Sequence, residues 1–150
     1  MDNKTIKIRF VRTHLDAQLP AANNISLLTG DTGYDLYCIE GAYIPRGGSR
    51  TIAVGLTVAY IEPGYWLQIM PRSGLGFKKG LQPHLGVIDN QYRGDLAVKL
   101  YNFSDNPASI KKGDRIAQLV IHKLNQGNFE LVDDISSTDR GDRGFGSSGR

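Results

Sequence analysis

The chain has 150 residues, 40% of them hydrophobic and 22% charged, so it is long enough and apolar enough to fold around a core of its own. This composition excludes an intrinsically disordered protein, and no apolar run approaches the roughly 18 residues of a membrane span. The net charge of +3 is lower than the dense basic surface of a nucleic-acid-binding protein would give, but it suits a small anionic ligand. We therefore expect a globular protein that binds neither nucleic acid nor membrane.

The N-terminus and the cysteine content predict where the protein works. Residues 1–6 lack the apolar core that a secretory signal needs. Cys38 is the single cysteine, which excludes an intramolecular disulfide and a cysteine metal site. We expect a cytoplasmic protein, in the host cytoplasm if a virus encodes it.

Short apolar segments between glycine and proline turns predict an all-β protein. The 18 glycines exceed the usual share of about 7%. Strands are predicted at 5–11, 34–39, 50–61 with a break at Gly55, 65–70, 85–88, 95–101 and 115–122, with 129–132 as a further candidate. Turns at intervals of roughly 8 to 12 residues are typical of a sandwich or a barrel, and at most one short helix fits, at 73–78.

The C-terminal segment differs in composition from the rest of the chain. Residues 136–150 contain four glycines, three arginines and one large apolar side chain, Phe145, so they cannot build a core. We predict a β domain at 1–135 and a flexible arm at 136–150. Arginines, serines and glycine amides bind phosphate well, and Phe145 could stack on a base. The alternative is a tail that only improves solubility.

Two further segments carry groups that bind phosphate. Arg72, Ser73 and Gly74 follow a predicted strand and offer a guanidinium, a hydroxyl and free amides to one phosphate. An ordinary turn with a capping serine is the alternative. Gln118, on the strand 115–122, could donate to a phosphate oxygen, and Arg115 and Asp114 could simply pair with each other.

Two carboxylates are candidates for chemistry. Asp89 lies in a predicted hairpin loop three residues before Tyr92, where it could orient or deprotonate a water molecule. Asp35 could face a hydrated Mg²⁺ ion, which keeps most of its water ligands in proteins. A turn-forming aspartate at 89 and a structural acid at 35 are the alternatives.

Five segments taken in chain order resemble the five motifs of the homotrimeric deoxyuridine triphosphatase (dUTPase) family. The segments are GYDL at 33–36, PRSGLG at 71–76, GVIDNQYRG at 86–94, GDRIAQL at 113–119 and RGDRGFGSSG at 140–149. The resemblance implies a distorted jelly-roll β-sandwich and a trimer whose active sites are shared between subunits. It also implies a Mg²⁺-dependent hydrolysis of dUTP to dUMP and pyrophosphate, by water attack on the α-phosphorus. That reaction limits uracil incorporation into DNA and supplies dUMP for thymidylate synthesis.

The resemblance also implies a role for individual residues. Asp89 matches the acid that orients the attacking water, and Tyr92 matches the ring that packs on the deoxyribose and excludes ribose. Asp35 matches the acid that holds the water shell of the metal. The remaining matches are backbone groups that read uracil at Gly86, Val87 and Ile88, phosphate ligands at Arg72, Ser73, Gly74 and Gln118, a ring that closes over uracil at Phe145, and a phosphate clamp at Arg140, Gly146, Ser147 and Ser148.

The chain departs from the family pattern in places, and two other functions stay open. Thr32, residues 76–78 and residues 83–85 differ from the usual residues there, which puts a side-chain or water contact to uracil at 83–85 in doubt. The related dCTP deaminases carry a catalytic glutamate where this chain has Lys99, which argues against deamination. A catalytically silent binding protein on the same scaffold is the other alternative.

Overall fold

The computed structural model describes residues 3–146 and consists almost entirely of β-strands. Ten strands and one helix occur in this part of the chain. In chain order they are β1 (Ile8–Arg12), β2 (Gly33–Tyr37), β3 (Ala42–Ile44), β4 (Ser49–Ile61), β5 (Tyr65–Met70), α1 (Ser73–Lys79), β6 (Leu81–Pro83), β7 (Gly86–Ile88), β8 (Asp95–Asn102), β9 (Ala108–Ile110) and β10 (Arg115–Lys123).

The strands form two four-stranded sheets and one two-stranded sheet, and every pairing between them is antiparallel. One large sheet has the order β1-β4-β8-β6 and the other has the order β2-β10-β5-β7, while β3 pairs with β9. Strands that are distant in the chain pair with each other, as β10 does with β2 and β5, and this gives the crossovers of a jelly-roll sandwich. The predicted all-β, distorted jelly-roll fold is confirmed.

The core lies between the two large sheets and follows from the alternation of side chains along each strand. In β8, Leu96, Val98 and Leu100 are buried, and the residues between them are exposed. Leu67 and Ile69 of β5 bury their side chains from the opposite sheet. Gln118 of β10 lies on the opposite side of this strand from its buried neighbour Leu119, and it is part of the candidate site.

The long strand β4 passes through Gly55 without ending there. Gly55 has a φ of +79° and is buried, and its pairing with β8 shifts between Ala53 and Thr57. A Cβ atom at Gly55 would lie 2.9 Å from side-chain atoms of Ala17 and Ile39, so only glycine fits. The predicted break at Gly55 is thus an irregularity within one strand.

The predicted strands match the observed ones closely, with one error. Residues 129–132 form no strand, and Phe129 and Leu131 are fully exposed. This segment pairs with no strand of the described chain, although its residues have high β-propensity. The three-residue strands β3, β6 and β9 were not predicted, because they are too short to show an alternating pattern.

The single helix, α1, was predicted at 73–78 and is confirmed at Ser73–Lys79. It buries Leu75 and ends at Gly80, whose left-handed φ of 67° lets its N–H reach the carbonyls of Leu75 and Gly76. Within residues 3–146, no helix is long and apolar enough to cross a membrane.

Candidate active site

Strand pairing brings the first, second and fourth motifs together. Gln118 of β10 lies opposite Asp35 of β2 on one side and opposite Met70 of β5 on the other. Arg72, Ser73 and Gly74 follow β5 directly, so they come to the same edge of the sheet. A cavity of about 310 Å³ is lined there by these residues and by the 22–33 segment. We call this cavity the anion pocket, with Asp35, Arg72, Ser73, Gly74 and Gln118 as its polar wall.

The Asp35 carboxylate in the anion pocket is bound by two guanidinium groups. Arg72 Nε donates to Asp35 Oδ1 at 2.9 Å, and Arg115 Nη1 lies 3.8 Å from Oδ2. Asp35 and Arg72 are each about three-quarters buried, so their attraction is less screened than that of a surface pair. Asp31 also lines the pocket, so Arg72 and the neighbouring Arg115 balance two carboxylates. The Arg72 guanidinium is the group of the pocket that favours an anionic ligand.

Arg115 lies next to this pocket, against Asp35, and the sequence had offered pairing with Asp114 as one possibility for it. The Asp114 carboxylate instead accepts from the Lys111 backbone N–H at 2.8 Å. In a regular strand, residues 115 and 118 would face opposite sides. The β10 register shifts between Arg115 and Ala117, and the adjacent residues Ile116 and Ala117 are both buried. The irregularity turns Arg115 toward Asp35, and the two consecutive apolar residues were the signal for it.

Gln118 is held in the anion pocket by a backbone contact and by a missing side chain. Its Nε2 donates to the Pro71 carbonyl at 2.8 Å. Its carboxamide lies so close to Gly33 that a Cβ atom at that position would overlap it. The absence of a side chain at Gly33, in the first motif, therefore leaves the space that the Gln118 carboxamide of the fourth motif occupies.

Ser73 and Gly74 begin α1 and are both exposed. The first backbone N–H groups of a helix have no acceptor inside it, so these amides face the pocket as free donors together with the Ser73 hydroxyl. No side chain caps this end of the helix. A Cβ atom at Gly74 would meet nothing within 4 Å, so the space above it is open to a ligand.

The third motif forms β7 and the loop at 89–94 that leads to β8, and it is separate from the anion pocket in a single chain. Strand β7 pairs with β5, and β8 pairs with β4 and β6, so the two strands lie in different sheets and the predicted hairpin is wrong. We call residues 89–94 the β7–β8 loop. Tyr92 folds back over Gly94, and its hydroxyl donates to the Asp95 carbonyl at 2.6 Å. A Cβ atom at Gly94 would overlap the Tyr92 ring. A second cavity, of about 210 Å³, lies beside the β7–β8 loop, and we call it the loop cavity. It is lined by Ile69, Val87, Ile88, Tyr92 and residues 95–97.

Asp89 lies at the start of the β7–β8 loop with a free carboxylate. It is exposed, and its backbone carbonyl accepts from the Tyr92 N–H at 2.9 Å. Among residues 3–146, no hydrogen-bond donor or cation binds its side chain, in contrast to Asp35. A carboxylate with both oxygens available is suited to accept a hydrogen bond from water.

The described part of the fifth motif reaches neither cavity. Residues 136–146 are exposed, and Phe145 is fully so. Arg140 donates to the carbonyls of Arg143 and Gly144, and Arg143 donates back to Arg140. The predicted roles of Arg140, Phe145 and Gly146 therefore stay predictions, and Ser147 and Ser148 lie outside the described residues.

The described residues do not form a metal site of their own. Residues 3–146 contain no group of three or more His, Cys, Asp or Glu side chains that could hold a metal ion. Mg²⁺ commonly binds through one or two carboxylates, water and the phosphates of a nucleotide. Asp35, beside the anion pocket, fits that second arrangement and not an all-protein cage.

Comparisons with known proteins identify the family of the chain. A family model for dUTPase matches residues 23–149. A deoxyuridine 5'-triphosphate nucleotidohydrolase of Wolinella succinogenes is 40% identical over 149 residues, which cover 98% of this chain and 97% of the relative. A dUTPase variant of Staphylococcus bacteriophage 80alpha, solved with dUpNHpp, is 26% identical with a TM-score of 0.84, over 96% of this chain and 99% of that one.

A second solved structure supports the fold. The dUTPase of phage phi11 of S. aureus, which coordinates a structural Mg(II) ion, is 22% identical with a TM-score of 0.76, over 87% of this chain and 99% of that one. The family model and the Wolinella relative both cover most of the chain. The chain belongs to the dUTPase family.

Proposed function

We propose that this protein hydrolyses dUTP to dUMP and pyrophosphate by attack of water on the α-phosphorus. The observation that carries the proposal is a pocket with an arginine, a serine and a glutamine side chain, together with an unpaired carboxylate at Asp89, in a dUTPase-family chain. The anion pocket suits a triphosphate, and Asp89 suits a water molecule. The reaction limits the supply of dUTP for DNA synthesis and produces dUMP for thymidylate synthesis.

The anion pocket would neutralise the phosphates. Arg72 uses Nε for Asp35 and Nη1 for the Arg115 carbonyl, so Nη2 remains for phosphate oxygens. Gln118 Nε2 and the Ser73 hydroxyl add neutral donors. Attack at phosphorus needs such donors, because the surrounding oxygens repel an incoming nucleophile. Donors fixed before the substrate arrives stabilise the transition state without reorganisation.

Asp89 would orient the nucleophile. A water molecule hydrogen-bonded to its carboxylate is held in one direction, and the carboxylate can accept a proton as the oxygen bonds to phosphorus. The leaving pyrophosphate then departs on the opposite side of the phosphorus. This assigns attack to Asp89 and charge neutralisation to the anion pocket.

Strand β7 and the β7–β8 loop would select the base and the sugar. Backbone groups of Gly86, Val87 and Ile88 are proposed to read uracil, and the Tyr92 ring to pack on deoxyribose. A Cβ atom at Gly86 would lie 3.2 Å from Ile69 Cδ1, so strands β5 and β7 are tightly packed here. An apolar pocket alone separates substrates that differ by one methyl group by about 1–3 kcal/mol, so a rigid backbone edge is needed to reject thymine.

Mg²⁺ is the cofactor that we propose, held by the triphosphate with Asp35 at its water shell. When bound, the ion supplies positive charge to the phosphate oxygens. The paired Asp35 is compatible with contact through water, since its oxygens also serve Arg72 and Arg115.

We further propose a homotrimer with active sites shared between subunits. Phe129, Leu131, Val132 and Ile135 are all at least 74% exposed in the single chain, and such a run of exposed apolar residues suits burial against another subunit. The anion pocket and the loop cavity share no lining residue, so one chain alone does not join them. The arm 136–150, with Arg140, Phe145, Gly146, Ser147 and Ser148, would close over the nucleotide. We assign the protein to the cytoplasm, where dUTP is formed.

A pyrophosphate-release assay tests the function. We expect rapid release from dUTP, little from UTP, dCTP or dTTP, and no ammonia from dCTP. Asp89→Asn should remove the dUTP reaction and keep the trimer, which light scattering measures. Near-normal turnover by that variant would overturn the role of Asp89, and ammonia release from dCTP would indicate a deaminase. Binding of dUTP without turnover by the wild-type protein would indicate a silent binding protein.

A further inference from the structure

Asn90, the residue after Asp89, connects the β7–β8 loop to the turn between β4 and β5 through hydrogen bonds. Its single side-chain nitrogen, Nδ2, donates to three backbone carbonyls: Tyr65 at 2.9 Å, Glu62 at 3.0 Å and Ile61 at 3.3 Å. These carbonyls belong to the last residue of β4, the turn that follows it and the first residue of β5, at least 25 residues away in the chain. Asn90 is partly buried, unlike its neighbours Asp89 and Gln91, which are exposed.

The geometry favours a side-chain amide at position 90. An amide carries two N–H donors, so three converging carbonyls mean that one N–H is shared between two of them. An aspartate of the same size would place acceptor oxygens against these carbonyls, and an alanine would leave them without the donor. The turn itself is tight, since Gly64 within it has a φ of +94°.

The contact fixes the backbone on the C-terminal side of Asp89. On the other side, Ile88 is buried and paired with Leu67 of β5. The Asn90 carbonyl is held as well, because Arg93 Nη1 donates to it at 2.9 Å. Asp89 is thus an exposed carboxylate between two anchored residues, although no group binds its side chain directly.

We propose that Asn90 is a positioning residue, which holds Asp89 where its carboxylate can aim the attacking water. The inference rests on the proposed function of Asp89 in dUTP hydrolysis. A carboxylate that orients water must keep its place to a fraction of an ångström, since displacement of about 1 Å can reduce a rate about 100-fold. The turn between β4 and β5 acts here as the fixed support.

The test compares Asn90→Ala with Gln91→Ala in the steady-state hydrolysis of dUTP. Gln91 is the matched control, since it is the next residue in the same loop and is exposed. We expect Asn90→Ala to lower kcat about 10- to 100-fold and to leave the affinity for dUpNHpp unchanged. Gln91→Ala should leave both unchanged. A purely structural role would lower the melting temperature of Asn90→Ala and leave the kcat of the folded protein intact.

A double-mutant cycle shows whether Asn90 acts through Asp89. Asn90→Ala should cost nothing further in residual kcat when Asp89→Asn is already present, because the positioned group is gone. Equal costs in both backgrounds would overturn the inference and leave the function of Asp89 standing. Wild-type protein that fails to hydrolyse dUTP would overturn the proposed function, and the inference with it.

Discussion

Arg72 donates from Nε to Asp35 Oδ1 at 2.9 Å, which joins the segment after β5 to strand β2. The same guanidinium donates from Nη1 to the Arg115 carbonyl at 3.4 Å. Arg72 is therefore oriented by two strands before any ligand binds. In a pocket for phosphate, this orientation decides how much of the binding free energy is lost in ordering the side chain.

Arg72→Lys should lower kcat/KM for dUTP about 10- to 100-fold, although the positive charge is kept. Lysine has no planar fork, so it cannot contact Asp35 and a phosphate at the same time. Arg50→Lys, at an exposed position of β4, is the control and should leave kcat/KM unchanged. Steady-state kinetics on both variants measures this. Wild-type kcat/KM for Arg72→Lys would mean that only the charge at position 72 is used.

A chain that ends at Ser136 should lose at least about 100-fold in kcat/KM and keep its melting temperature within a few degrees. The expected loss follows from the exclusion of water by the arm, and the retained stability follows from the full exposure of residues 136–146. The hydrogen bonds of Arg140 and Arg143 lie within the arm itself. Differential scanning calorimetry and the pyrophosphate assay measure the two effects, and a large fall in melting temperature would make the arm structural.

Asn102→Asp should destabilise the fold by about 2–4 kcal/mol, despite the equal size of the two side chains. Asn102 is 1% exposed, and its Nδ2 donates to the carbonyls of Ile44 and Asn106, while its Oδ1 accepts from the N–H and hydroxyl of Ser104. A carboxylate would face two carbonyls without a donor. Urea unfolding at pH 7 measures the loss, and a midpoint equal to that of the wild-type protein would show that packing alone matters there.

The sequence predicts those parts of the fold that repeat over several residues, and it predicts less where contacts cross the chain. Short apolar segments bounded by turns were sufficient to place β5, β8 and β10. The contact of Gln118 with Gly33 and the approach of Arg115 to Asp35 depend on strand order and on an irregular register, which no local pattern shows. Residues 129–132 show the opposite case, since they have high β-propensity but pair with no strand in the described part of the chain.

The last prediction concerns the acid dependence of stability near Glu62. Its carboxylate accepts from Lys4 Nζ at 2.9 Å and from the Lys7 backbone N–H at 3.1 Å, and these two contacts lower its pKa below the usual value near 4.5. Because the pKa is lowered in the folded state, this stabilisation is complete above the unfolded value and is lost as the pH falls through the folded one. Glu62→Gln should therefore unfold at a lower urea concentration than the wild-type protein at pH 7. The difference between the two midpoints should shrink steadily below about pH 4.5. Glu40→Gln, at an exposed position, should show no such pH-dependent difference. A Glu62→Gln difference that stays constant down to pH 3 would show that the ion pair and hydrogen bond of Glu62 do not contribute.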